Sequence, residues 1–546
     1  MSHRAFLPGQ LRLILAMTLV HVLGWFAYFS QIPAGNYPSE AAHSTLEAAI
    51  ALADAMPTSD SGHSLYTYIL SLLAHIFGDT GELTSAARGL NALALVIAAG
   101  FTASAAGEYW RRNRAVWIGG LLVGLNPVLV FWAGEVSPIL LATACTSSAF
   151  YFGQRWMRRS SIRDSLRIAV CFSLASLLET TLLPIALLWP FIAYLLPHRE
   201  RVLHFILALI PTAVIFSAAL VFSLQLQDSF QWGFEQIGQG MYRALGYQES
   251  YDDKSFSLYR QLHFILFLNP IHWGALFILA VGGAYVRLKD GHRGRSILLA
   301  LLTLTLFALS LAVNQSGTQA RASLLPLLAI MAGGITLIPK IWKHAGRPTR
   351  RKILIGAVLI GIFVYAGLFI GTPQSHTWER DYVYLAEANI HLGNNGRATT
   401  WAEKALELNP TRSDMQEVLV IAQFNDWSTD HQQRTLPIEM TRELLEVSRK
   451  TSSSPTIQSI QAIYLYKLRE VEAAREIWQT TREESALALL CLYWIGAVTE
   501  LSLNESMSYT QSPYYKLLEQ AAQIDRNALG YGETEKLIDN ILAFAY

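Results

Sequence analysis

Gly35-Asn36-Tyr37-Pro38-Ser39-Glu40-Ala41-Ala42-His43, continued by Gly62-His63-Ser64-Leu65-Tyr66-Thr67-Tyr68, is the one long polar interruption near the start of a very apolar half-chain. It follows an apolar run at residues 12–32, long enough to cross a bilayer, and places a carboxylate, Glu40, just past the end of that run. The stretch therefore reads as a loop outside the membrane that carries the chain's polar chemistry. The other reading of Glu40 is a solvated loop acid or a charge at a helix N-terminus.

Composition fixes the class around this loop. Of 546 residues, 52% are hydrophobic and only 15% charged, too apolar for an ordinary soluble protein. The chain reads as all-α and polytopic, with nearly all its apolar runs before residue 372. Residues 1–371 are thus expected to form a membrane domain, and residues 372–546 an extracytoplasmic helical domain. The net charge of +1 points to no charged partner, and nucleic acid is not expected among the partners. Cys145 and Cys171 lie in apolar runs and Cys491 in the second part, a pattern that gives neither a disulfide framework nor a metal-ligand spacing.

Basic loops stay on the cytoplasmic side, so Lys and Arg set the topology. The first run, 12–32, follows Arg4 and Arg12 and lacks a small-residue cleavage site, which puts the N-terminus inside. Residues 33–83 lie outside, with a short helix over 41–56 and an amphipathic one over 65–77 suited to the interface. Spans follow at about 84–106, 115–133 and 139–154, with Gly134-Glu135-Val136-Ser137-Pro138 as a tight outer turn. The 30 residues of 167–196 have basic flanks on both sides, which requires a hairpin of two short helices turning near Glu179–Pro184. Further spans are expected at about 203–224, 262–286, 296–312, 322–339 and 353–371, with a second outer loop at 225–261. The total is about eleven, in the inner (cytoplasmic) membrane, with the C-terminal part outside.

After residue 372 the pattern becomes amphipathic helices. Tyr384, Ala386, Leu392-Gly393, Arg397-Ala398, Ala402 and Ala405 to Pro410 resemble a tetratricopeptide repeat, where small residues let two helices pack and a Pro stops the second. Ala462–Trp478 forms a weaker second unit and Tyr514–Asp525 a third. The resemblance implies a helical solenoid, serving either as a partner-binding surface or as a stabilising cap.

The membrane part also resembles a known family. The acid-bearing first loop, Gly62-His63-Ser64-Leu65-Tyr66, His75-Ile76-Phe77-Gly78-Asp79, Ala87-Arg88, Asn126-Pro127 with Glu135, and Arg321-Ala322-Ser323-Leu324-Leu325-Pro326 together resemble the GT-C membrane glycosyltransferases. Within these the likeness is to protein O-mannosyltransferases and lipid A aminoarabinose transferases, over about residues 10–370. It implies transfer of a sugar from a polyprenyl-phosphate donor to a lipid, glycan or protein acceptor outside the membrane. No cofactor is required by the resemblance, which leaves room for a divalent metal.

On that resemblance, an acceptor hydroxyl needs a carboxylate base and the departing phosphate needs cations. Glu40 and Glu135 are the expected catalytic acids, although the family usually has Asp-Glu where this chain has Ser39-Glu40; Asp54 or Asp60 are substitutes. His63, Arg88, Lys254, Arg260 and Arg321 are the expected substrate-binding residues. Bland alternatives stand beside them: an interface histidine for His63, pairing with Glu82 for Arg88, a solvated face for Lys254 and Arg260, and snorkelling for Arg321. Walker-type, dinucleotide-binding and His-Glu-x-x-His motifs are absent from the sequence, as is a row of acids within the spans. Three classes follow: a lipid-linked sugar transferase, a non-catalytic relative acting as a scaffold for envelope partners, and, third, a transporter.

Overall fold

The computed structural model describes residues 8–29, 40–53, 64–77, 80–159, 161–179, 182–195, 201–221, 256–262, 273–289, 321–344, 378–391, 394–429, 454–467 and 469–482, with Leu266 and scattered positions at 346–362 and 484–492. Every regular element among them is helical. They divide into two compact units, one drawn from residues up to 373 and one from residue 374 onward.

The first unit opens with α1 (Pro8–Phe29), α2 (Glu40–Ala53), α3 (Leu65–Phe77) and α4 (Thr80–Trp110). A two-residue link leads to α5 (Asn113–Gly124), followed by α6 (Pro127–Ala133), α7 (Ile139–Arg159), α8 (Ile162–Leu178), α9 (Leu183–Leu195) and α10 (Arg201–Val221). Then come α11 (Phe256–Leu262), α12 (Trp273–Lys289), α13 (Leu325–Ala332), a 3₁₀ segment (Gly333–Leu337) and α14 (Ile338–His344). Among the described residues three helices are long and apolar enough to cross a membrane, Gly9–Ala27, Gly81–Trp110 and Leu325–Lys343, or four if α5 and α6 form one bent span. This is a multi-pass membrane protein.

Local chemistry explains the departures from the expected spans. The stretch 115–133 is not one helix: it breaks by 50° between α5 and α6. Asn126 makes the break, its side-chain oxygen accepting from the amides of Val128 and Leu129 at 3.0 and 3.3 Å, with Pro127 fixed as the first helical residue. The expected span at 322–339 likewise changes to 3₁₀ at Gly333. There the indole of Trp110 donates to the Ile330 carbonyl at 2.6 Å, and a Cβ on Gly334 would meet both Gly283 Cα and the Trp110 ring. Two backbones this close need glycine on both sides. Residues 162–195 do form two helices, turning at 179–182. The expected spans at 296–312 and most of 353–371 lie outside the described residues.

The second unit contains α15 (Glu379–His391), α16 (Asn395–Leu408), α17 (Ser413–Thr429), α18 (Pro455–Lys467) and α19 (Val471–Thr481). Ala386, Ala402 and Ala405 are fully buried where α15 and α16 fold back on each other, with Val383 and Met415 in the same core. The connection after α16 is pinned to the start of α15: Asn409 Nδ2 donates to Glu379 at 3.1 Å, and Arg412 bridges Glu379 at 3.2 Å and pairs with Asp414. Trp478, Ala474 and Ala462 share a second core with Phe424, and the Trp478 indole donates to the Ser459 carbonyl at 3.1 Å. Residues 514–525 lie outside the described residues.

Candidate functional site

The outer turn after α6 is the best-built polar feature of the first unit. Helix α4 carries polar residues at helical spacing along an otherwise apolar span: Thr84, Arg88, Asn91 and Thr102. Two of them reach the turn. Arg88 Nε donates to the Gly134 carbonyl at 2.7 Å, and Asn91 Nδ2 donates to the Glu135 carbonyl at 2.6 Å. Both carbonyls, freed at the end of α6, thereby find donors in an apolar surrounding, where an unmet group is costly. Glu135 itself is 3% exposed, a carboxylate enclosed by protein.

Helices α2 and α3 pack over the same place. Ala42, Leu46 and Ala49 of α2 and Tyr66, Leu70 and Ala74 of α3 form one hydrophobic cluster with Leu83 and Ala87 of α4 and with Val136. The helix that Glu40 opens and the residue following Glu135 thus share a core. The Tyr66 hydroxyl, fully buried, faces the Asn91 side chain and the Ser137 main chain without closing a hydrogen bond of ordinary geometry to either. Among the described residues Asn91 Oδ1 likewise has no hydrogen-bond partner.

A second group of residues is tied to α6 and α7 from the other side. Phe131 of α6 packs its ring 5.4 Å from that of Tyr259, the neighbour of Arg260 in α11. Thr146 of α7 donates to the Ser323 carbonyl at 3.0 Å, fixing the turn that begins at Arg321. Arg321 is 2% exposed, its guanidinium 5.4 Å from the Trp273 ring centroid, so it is buried on an aromatic face rather than extended along an exposed one.

Of the expected site residues, Arg88 and Glu135 meet at one turn, while Arg321 and Arg260 sit on elements packed against the helices flanking that turn. Glu40 is the first residue of α2, with its side chain outside what is described; His63, Lys254, Ser39, Asp54 and Asp60 also lie outside the described residues. Among the described residues no group of three or more His, Cys, Asp or Glu could hold a metal ion. Asn91, Tyr66 and Trp273 were not expected. The signal for Asn91 was its spacing of three from Arg88 on an apolar helix, which puts both on one face.

No family model matches the chain, and no curated protein matches it. Solved structures similar to it include the crystal structure of ArnT from Cupriavidus metallidurans bound to undecaprenyl phosphate. That match has 14% identity and a TM-score of 0.42, covering 79% of this chain and 82% of that one. The same protein in the apo state matches at 14% identity and a TM-score of 0.38, over 76% of this chain and 81% of that one.

Proposed function

We propose that this protein is a GT-C membrane glycosyltransferase that moves a sugar from a polyprenyl-phosphate donor to an acceptor on the extracytoplasmic side. The observation that carries this reading is a shared core: Val136, beside the enclosed Glu135, packs in one cluster with the helix opened by Glu40. Two acids from distant parts of the chain are thereby attached to one small piece of structure. The order of motifs in the sequence supports the same reading.

In the proposed step, the acceptor oxygen bonds to the anomeric carbon as the bond from that carbon to the donor phosphate oxygen breaks. The electron pair leaves on the phosphate, and the acceptor's proton passes to Glu40 as base. Glu135 shapes the site, and Arg321, held on Trp273, offsets the charge that grows on the phosphate. Arg88 acts through the main chain of the turn, while His63, Lys254 and Arg260 contact the donor or acceptor. The proposed setting is the inner membrane, with residues 372–546 outside as a tetratricopeptide-like domain that receives a protein partner.

Transfer from a radiolabelled polyprenyl-phosphate sugar by the purified protein tests this. Loss of the base in Glu40→Gln should lower the rate about 10²- to 10⁴-fold at unchanged thermal stability. Wild-type transfer by that variant removes Glu40 from the base role and makes Asp54 or Asp60 the candidate. One second reading is favoured by a specific observation: Ser39 stands where the family usually has Asp. A wild type that neither binds nor uses any polyprenyl-phosphate sugar would remove the transferase reading, and the scaffold reading would replace it.

A further inference from the structure

A cluster of guanidinium groups lies at the opposite end of the first unit, on the side of the basic loops and away from the proposed transfer. Helix α4 ends there at Glu108, Tyr109 and Trp110, the chain reverses through Arg111 and Arg112, and α7 contributes Arg158. Arg287, near the end of α12, stacks over this corner with its guanidinium carbon 4.9 Å from the Tyr109 ring centroid and 5.5 Å from that of Trp110. Arg158 pairs with Glu108, and the charges of Arg111 and Arg287 lie within electrostatic reach of Arg158. Among the described residues one carboxylate, Glu108, is therefore grouped with three cations.

Two further observations separate this corner from a merely solvated basic loop. Arg287 Nε is buried and has no hydrogen-bond acceptor among the described residues, leaving a directed cationic donor unmet. Arg111 holds φ at 54°, the left-handed region that favours glycine at a helix end, so an arginine is kept where its backbone is strained. An anion accepting from Arg287, Arg111 and Arg158 would correct the excess charge and supply the missing acceptor.

We infer that this corner binds the phosphate of an anionic phospholipid, with Arg287, Arg111 and Arg158 around the head group. By the charge rule the lipid belongs to the cytoplasmic leaflet, where anionic head groups collect in basic pockets between helices. The site is independent of the proposed sugar transfer.

Thermal unfolding of the purified full-length protein in detergent tests this, with phosphatidylglycerol, phosphatidylcholine or inorganic phosphate added. Phosphatidylglycerol should raise the Tm with a saturable dose response, while the other two should not. Arg287→Gln should weaken that dependence about tenfold or more, the usual loss for one charge-assisted bond. Arg111→Gly guards against misfolding, because glycine accepts the left-handed backbone: its Tm without lipid should equal or exceed wild type while its response to phosphatidylglycerol weakens. An equal response to phosphatidylcholine overturns the head-group assignment, and an equal response to inorganic phosphate overturns the lipid. A full response in both variants overturns the site.

Discussion

Arg88 and Asn91 each support a main-chain carbonyl of the turn bearing Glu135, so the carboxylate is placed by residues that need never touch a substrate. Asn91→Ala should destabilise the protein by about 1–3 kcal/mol, because the Glu135 carbonyl would be left buried without its donor. Thermal unfolding measures the loss, and a variant as stable as wild type would show the bond to be dispensable. The charged candidates stand out in the sequence because each is a lone Glu or Arg at the end of an apolar run. Asn91, Tyr66 and Trp273 were not, since each is an ordinary occupant of a membrane helix and becomes informative only beside the groups it faces.

Helix α12 carries adjacent glycines in unlike surroundings. A Cβ on Gly283 would fall on the Met331 carbonyl oxygen, while one on Gly282 would meet nothing within 4 Å. Gly283→Ala should therefore cost about 1–3 kcal/mol by forcing the helices apart. Gly282→Ala should be neutral or stabilising by up to about 1 kcal/mol through helix propensity. In the second unit, the hydrogen bond from Arg412 holds the Asp414 carboxyl below the usual carboxylate range. A carboxyl so lowered stabilises the fold above its unfolded pKa, about 3.9, and loses that effect as pH falls through its folded value. Asp414→Asn should thus melt earlier at pH 7, with the difference closing below about pH 4. Periodicity and charge located most of these helices, and the 65–77 helix was found to the residue. The break at Asn126 does not show in the length of the apolar run, although Asn capping a Pro-started helix is itself an interruption.

For the whole molecule, the arrangement of basic loops predicts that a reporter fused after Tyr546 is active only outside the cytoplasm, and one at Arg114 only inside. The opposite result at either position would invert the map. The two-unit division leads to a separate expectation: a fragment of residues 376–546 should give a helical circular dichroism spectrum without a sheet signal. The all-α class was legible throughout from apolar run length and helical periodicity. How distant runs meet was not, because small residues and main-chain carbonyls decide it and neither carries a strong sequence signal.

The indole of Trp110 and the carbonyl of Ile330 are separated by 220 positions. At a synthesis rate of about 5–20 residues per second, the acceptor leaves the ribosome roughly 10–40 s after the donor. During that interval α4 and α5 are already made, while the α13 carbonyl that the Trp110 indole will meet is not. Only the late arrival of Ile330 closes the contact between the end of α4 and α13, so this joint of the first unit waits until most of that unit has been made.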